Sequence, residues 1–290
     1  MPQKLVGIIG GSGLGDSLLE HLTDTEAFVP ETPFGNPSGP VVVGQWGGRH
    51  VAFLNRHGQG HCFSPSAVPY AANVFAMKQL GVHTLLATGA VGSLQEGIVP
   101  GDLVIVDQFI DKTFRRKGSF FDHGAVHCEL SDPVCSALAT SLCQVAESTQ
   151  INTHTQGTYV CMEGPQFSTR AESRMHRLWG GDLIGMTAMP EARLAREAQM
   201  CYGLIALASD YDCWRPHDPS KGKHALLEEI LGNLQAATQH CLALIEAVLK
   251  SSEPLVCEDC ACRKSLELAV WTQDADSDPR QQPQLAPLFE

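Results

Sequence analysis

Two carboxylates, Asp210 and Asp212, stand two residues apart directly after the apolar run Leu204-Ile205-Ala206-Leu207-Ala208. In an extended segment residues i and i+2 point to one face, so the pair is expected to form a single acidic patch. Such a patch binds hydrogen-bond donors or a basic nitrogen. A lone Asp after a strand caps a helix or anchors a loop just as often, so the weight comes from other residues. Arg56, His57 and His61 lie in Asn55-Arg56-His57-Gly58-Gln59-Gly60-His61, a donor-rich cationic cluster whose Arg fork matches phosphate oxygens. Either His alone would be an ordinary core or surface residue; three such groups beside glycines make a site. Gly10-Gly11-Ser12-Gly13 adds consecutive amides and a hydroxyl suited to an anion. That run does not satisfy G-x-G-x-x-G, which argues against a dinucleotide site and a dehydrogenase. Thr88-Gly89-Ala90-Val91-Gly92-Ser93 is a second glycine-rich strand end, again favouring close backbone approach. Phosphate-type donors thus coexist with carboxylates, and no metal-ligand pattern joins them.

These groups share one placement, the end of a buried strand. Leu5 to Ile9, Val51 to Leu54 and Leu204 to Ala208 are continuous apolar stretches, and Val82 to Thr88, Gly157 to Met162 and Asp182 to Thr187 read as further strands. That is the composition of strands covered on both faces. In open α/β sheets ligands sit just beyond the carboxyl ends of such strands. Helical spacing is expected over Ala67 to Leu80, Asp132 to Ala146, Pro190 to Cys201 and Leu226 to Lys250. Thr32 to Gly48 reads as a hairpin-rich region, and Lys112 to His127 as an irregular functional loop. No internal repeat is present.

With 290 residues and 43% hydrophobic content the chain can bury a full core, as one large α/β domain with or without a tail. The domain is expected over residues 1–271, including a cysteine-rich segment at 257–262, and the polar tail at 272–290 is expected to be mobile, with Leu285 and Phe289 able to dock. A net charge of −12 argues against nucleic acid or an anionic membrane as partner. No apolar run reaches a membrane span, and because Met1-Pro2-Gln3-Lys4 leads straight into a strand-like segment no cleavable signal is expected. Most of the 11 cysteines lie singly in apolar stretches, where they act as small hydrophobes, so a reducing cytoplasm is expected.

The set of motifs resembles the nucleoside phosphorylases, and within the purine nucleoside phosphorylase superfamily the 5′-methylthioadenosine phosphorylases. The resemblance rests on Ile8 to Leu14, Arg56 to Asn73, Gly92 to Asp111, Glu163 to Ser173, Met186 to Tyr202 and Ser209 to Trp214, and covers residues 4–250. It implies a single α/β domain with a central mixed, twisted, partly barrel-like sheet flanked by helices. It also implies reversible phosphorolysis of 5′-methylthioadenosine, with orthophosphate as co-substrate and no cofactor. By resemblance Ser12, Arg56, His57, the backbone at Gly89 and Ala90, and Thr187 hold phosphate. His61 and Met186 sit against the ribose, and Phe167 covers base or sugar. Asp210 then protonates the purine N7, for which burial beside another carboxylate would usefully raise its pKa, and Asp212 accepts from the exocyclic amine. Related 6-oxopurine enzymes carry Asn at the first of these positions.

The resemblance further implies an apolar 5′ pocket at the start of the last long helix and a trimer in which His127 crosses the subunit interface. Here the stretch Pro216 to Leu227 can place Lys223 or His224 in that pocket, which opens adenosine, methylthioinosine and 6-oxopurine nucleosides as alternative substrates. Gly89 is a second departure, since relatives often carry a hydroxyl or amide there. A binding protein without catalysis would keep the base pocket and lose the phosphate donors, yet Arg56, His57, Thr187 and Asp210 are all present. Cys257, Cys260 and Cys262 admit three states: reduced packing thiols, a disulfide of the kind formed by C-x-C tails in some prokaryotic relatives, or metal ligands. A structural zinc site takes four ligands and no fourth lies close in sequence, so no metal is expected.

Overall fold

A computed structural model of the chain describes residues 5–216 and 220–290. The first half carries β1 (Val6–Gly10), α1 (Gly15–Leu19), β2 (Thr23–Phe28), β3 (Val41–Trp46), β4 (Arg49–Asn55), α2 (Tyr70–Gln79), β5 (Thr84–Ser93), β6 (Leu103–Val106) and β7 (Gln108–Asp111). The second half adds α3 (Ser136–Glu147), β8 (Thr153–His154), β9 (Thr158–Cys161), α4 (Arg170–Leu178), β10 (Leu183–Gly185), α5 (Ala188–Glu197), β11 (Cys201–Tyr211) and α6 (Lys223–Lys250). Helix α2 starts three residues later than its periodicity predicts because Pro69 occupies the N-cap.

One mixed sheet of 11 strands runs β2-β3-β4-β1-β5-β10-β9-β7, and a second branch leaves β5 through β11 to β6 and β8. Strand β5 is the fork: it pairs in parallel with β1 and β11, then turns its last residues to β10 in antiparallel register. Because β6 and β7 are separated only by Asp107, the chain itself joins the two branches and closes a barrel-like circuit.

Both faces of the central strands are covered, which explains the unbroken apolar runs. Val6, Ile8, Phe53, Leu86, Ile105 and Leu207 pack toward Leu18, Leu138, Ile245 and Val248 of α1, α3 and α6. Their alternates Ile9, Leu54, Leu85, Val104 and Ala206 pack toward Val74, Phe75, Ala192 and Ala195 of α2 and α5. Among the described residues no helix is long and apolar enough to cross a membrane.

The segment 272–290 makes contacts with the body of the domain. Leu285 and Leu288 are buried, the Phe289 ring lies tilted against Phe121, and Gln199 donates its Nε2–H to the Leu288 carbonyl at 2.9 Å. Short 3₁₀ turns around the prolines bring these apolar side chains to one side, a pattern without the period of a helix or strand. Of the stretch expected to line a 5′ pocket, His217, Asp218 and Pro219 lie outside the described residues.

Candidate active site

The sheet register sets the site. Gly10 pairs with Asn55 and Ile9 pairs with Ala87, so Gly11, Arg56 and Gly89 follow at one height across β4, β1 and β5. Contact distances agree. A Cβ built on Gly11 would lie 2.7 Å from Arg56 Nη1 and 2.9 Å from the Thr88 carbonyl oxygen, so only glycine fits. A Cβ on Gly89 would meet only Thr187 Oγ1, at 3.6 Å. Ser12 follows Gly11 and is half-buried, as are Ala90 and Thr187. Gly11, Arg56, Gly89 and Thr187 are thus brought together from the ends of β1, β4 and β10 and from the middle of β5, which runs on to Ser93 instead of ending at Thr88.

Arg56 is fully buried and its fork is already engaged. Nε and Nη2 donate to the two oxygens of Glu191, each at 2.8 Å, and Nη1 donates to the Thr88 carbonyl at 2.8 Å. Tyr202 Oη donates to Glu191 Oε1 at 3.0 Å. Burial opposes the charge on Arg56, but the Glu191 carboxylate outweighs it and keeps the guanidinium protonated above its ordinary range. Glu191 comes from the first turn of α5, two residues after the kink at Met189. It lies within the Met186 to Tyr202 stretch, which assigns it no role. Its signal in the sequence is an acidic residue inside the apolar helical run Ala188 to Ala195.

His57 is buried beside this pair, and its Nδ1 lies 2.8 Å from the Phe63 carbonyl. A carbonyl only accepts, so Nδ1 carries the proton and Nε2 is an acceptor in the neutral ring. Burial, with help from the Arg56 charge, pushes the imidazole down to about 4, so it is neutral at physiological pH. His61 stacks on it with ring centroids 4.1 Å apart.

The carboxylates occupy the other end. Asp210 pairs in register with Gly92 of β5, three residues beyond Gly89, a displacement of about 10 Å along a strand. Simple alternation fails here, because the register shifts between Ala208 and Asp210 and leaves Ser209 as an extra residue. Strand β11 ends at Tyr211, and Asp212 is held instead by its backbone N–H on the Ser93 carbonyl at 3.0 Å. The outcome is still a pair around one residue: Asp212 Cβ lies 3.4 Å from a Cβ built on Gly92. Ser209 Oγ donates to Asp210 Oδ1 at 2.7 Å, and Asn233 of α6 donates to the Ser209 carbonyl at 3.1 Å. Asp212 Oδ2 is buried and accepts no hydrogen bond from the described residues. Trp214 anchors the following turn through Nε1–H on the Ser93 carbonyl at 2.9 Å.

Arg116 in the 112–127 loop is another residue the motifs did not show. Its guanidinium donates to the carbonyls of Met186, Met189 and Glu163 at 2.5, 2.6 and 2.7 Å, and so ties the loop to the ends of β9 and β10. Glu163 accepts from Arg116, from the Phe114 and Arg115 amides and from the Ser66 hydroxyl. Burial works against that carboxylate, yet these donors hold it below its ordinary pKa. Met186 is thereby fixed with its sulfur against Gly164, where a Cβ would lie only 2.5 Å away. Phe167 stands 85% exposed on the loop before α4. His224 is exposed in the first turn of α6. His127 donates its backbone N–H to the Ala269 carbonyl at 2.9 Å and sets its ring against Trp271. No described contact brings Phe167, His224 or His127 to the carboxylates.

Residues 5–250 match the family model described as the phosphorylase superfamily. The chain belongs to the phosphorylase superfamily. Among phosphorylase relatives it is 44% identical over 280 residues to the S-methyl-5′-thioadenosine phosphorylase of Gloeobacter violaceus, with 95% of this chain and 91% of the relative covered. Its fold is similar to that of a methylthioadenosine phosphorylase sourced from an antarctic soil metagenomic library, with a TM-score of 0.85, 40% identity and 98% of each chain covered. It is also similar to a mutant adenosine/methylthioadenosine phosphorylase of Schistosoma mansoni solved with methylthioadenosine, with a TM-score of 0.82, 33% identity, and 92% of this chain and 98% of that chain covered. The phosphorylase fold thus carries both the forked sheet and the strand ends at which the predicted residues gather.

Proposed function

We propose that this chain is a pentosyltransferase that carries out the reversible phosphorolysis of 5′-methylthioadenosine to adenine and 5-methylthioribose 1-phosphate. An orthophosphate oxygen bonds to C1′ as the bond from C1′ to N9 breaks, and the electron pair of that bond leaves with the purine. Ser12, Arg56, His57, the Gly89 and Ala90 backbone and Thr187 hold the phosphate. His57 offers Nε2 as acceptor for the proton of hydrogen phosphate, because its Nδ1–H is committed to Phe63. The sugar lies between the two ends, against His61 and Met186, with Phe167 closing over it. Developing positive charge on the sugar is stabilised by the phosphate beside it. Asp210 supplies the proton that N7 gains as the purine departs, and Asp212 accepts from the 6-amino group. His224 faces the 5′ substituent, and His127 of the partner subunit completes the pocket in a homotrimer. Orthophosphate is a co-substrate, and the reading needs no cofactor in the chemical step.

The observation that carries this reading is Asp212 Oδ2, a buried acceptor without a hydrogen bond from the described residues, beside Asp210. A buried carboxylate oxygen left unpaired costs about 1–3 kcal/mol or more, which the amine of a 6-aminopurine offsets and a 6-oxo group does not. The relatives' names and the methylthioadenosine complex of the Schistosoma mansoni enzyme support the same substrate class. Leu227 and Leu231, both more than half exposed on α6, suit a methylthio group. The polar pair Lys223 and His224 at the start of that helix favours adenosine as a second substrate.

The test is incubation with 5′-methylthioadenosine, adenosine, inosine and methylthioinosine, with and without phosphate, reading release of free base. Phosphate-dependent release of adenine, faster than of hypoxanthine, is expected. Base release without phosphate would make the chain a hydrolase, and a preference for inosine-type substrates would overturn the role of Asp212.

A further inference from the structure

The cysteines set aside in the sequence for want of a fourth ligand find their partners in the fold. Cys257 is exposed and takes no part, but Cys260 and Cys262 are buried beside Cys135 and Cys201. The four sulfurs all lie within 4.8 Å of one another. They come from three places in the chain: Cys135 is the N-cap of α3, Cys201 opens β11, and Cys260 and Cys262 lie in the segment after α6. Cys135 Sγ and Cys260 Sγ are 3.7 Å apart. A disulfide would bring two sulfurs to about 2.0 Å. A tetrahedral zinc thiolate with bonds of about 2.3 Å has sulfur-to-sulfur edges of about 3.8 Å.

We propose that Cys135, Cys201, Cys260 and Cys262 form a structural tetrathiolate site for a zinc-class divalent metal. Binding forms four metal–sulfur bonds and releases the four thiol protons to solvent, so no oxidant or reductant is needed. All four positions are filled by protein, which makes the site closed and non-catalytic. Four thiolates around a divalent ion leave an excess negative charge, and a cation stands ready for it. Arg196 Nη1 is 3.4 Å from Cys262 Sγ, while its Nη2 donates to the Asp132 carbonyl, which fixes the guanidinium against the cluster. All four cysteines are buried, which limits the access of water to the thiolates. The metal would tie the segment after α6 to the first residue of β11, whose far end carries Asp210.

The experiment uses the full chain, expressed in zinc-supplemented medium and purified without chelator, with metal content read by mass spectrometry. One zinc per chain is expected, with four cysteines protected from alkylation until the metal is removed. Exchange with cobalt(II) should give intense thiolate-to-cobalt charge-transfer bands together with tetrahedral ligand-field bands. Cys257→Ser should leave both signals intact, whereas Cys262→His should weaken the charge transfer while retaining tetrahedral cobalt. Should Cys262→His fail to fold, the cobalt spectrum of the unmutated chain still decides. Absence of metal with all four thiols freely alkylated would overturn the proposal. So would an intact mass short by two hydrogens per bridge, which would show these cysteines to be disulfides.

Discussion

Replacing Glu191 with Gln tests the proposed phosphate end of the site most directly. Both side chains of the Arg56–Glu191 pair are essentially inaccessible to solvent. Gln retains one acceptor oxygen but turns an amide N–H₂ toward the guanidinium or toward Tyr202, so one charge-assisted hydrogen bond is lost, worth about 1.5–3 kcal/mol. The guanidinium is also left as a buried charge without its counterion, and breaking such a pair costs about 3–5 kcal/mol in all. For a chain of this size each kcal/mol moves the melting temperature by about 2–4 °C, so Glu191→Gln should melt roughly 6–20 °C lower without phosphate. Added phosphate should act in the opposite sense. In the parent chain it stabilises by mass action, about 2.7 kcal/mol at a hundred times its Kd. In the variant it also becomes the counterion of an unpaired Arg56, and a unit charge pair at about 4 Å with an effective dielectric near 20 is worth up to ~4 kcal/mol. The assay is thermal unfolding of both chains over a phosphate titration, with chloride holding ionic strength constant. A larger phosphate-induced shift in the variant than in the parent is expected. An equal or smaller shift would mean that Arg56 does not face the phosphate, and an unchanged melting temperature without phosphate would mean that the buried pair contributes nothing.

Gly11→Ala forces a methyl to within 2.7 Å of Arg56 Nη1, so KM for phosphate should rise far more than KM for nucleoside, with about 1–3 kcal/mol of stability lost in denaturant titration. Asp210→Asn removes the proposed proton donor to N7, so kcat/KM for 5′-methylthioadenosine should fall about 100-fold or more while inosine-type substrates gain in relative preference; unchanged kinetics with both would end the assignment. His57 is held down to about 4 from an ordinary 6.5, so the unfolded chain binds its proton first on acidification. Its contribution to stability is complete above about pH 6.5 and is lost as pH falls toward 4, and His57→Gln should flatten that part of the profile of urea midpoint against pH.

The strand ends were legible because their physics is local. An unbroken apolar run reports a strand covered on both faces, and Gly11 just after it reports a close backbone approach, whereas Gly89 lies within β5 with room for a Cβ. What was hidden depends on neighbours far along the chain. Glu191 meets Arg56 across 135 residues, and Cys135 meets Cys260 across 125, so no spacing rule connects them. The extra residue at Ser209 shows a different limit, since a bulge changes which faces the side chains take without altering the apolar pattern that precedes it. The docked tail shows a third. Leu285 and Leu288 are buried from 3₁₀ turns whose period matches neither helix nor strand.

The charge state of the proposed phosphate end bears on how such a site works. The obvious cation, Arg56, is already neutralised by Glu191, and burial keeps His57 uncharged. The remaining predicted donors there, Ser12, the Gly89 and Ala90 amides and Thr187, are neutral. A cluster of unpaired cations would bind orthophosphate more tightly in the ground state, but it would also cancel the charge that must stabilise a cationic sugar. Interactions that act equally on ground and transition states do not speed the chemical step. A guanidinium paired with a carboxylate can still direct hydrogen bonds toward the anion while leaving most of its charge uncancelled. That charge then faces a sugar whose positive character appears only as the glycosidic bond lengthens, so the stabilisation is concentrated in the transition state. On this reading Glu191 is a positioning residue that also tunes charge, and Glu191→Gln should bind phosphate more tightly while turning over more slowly.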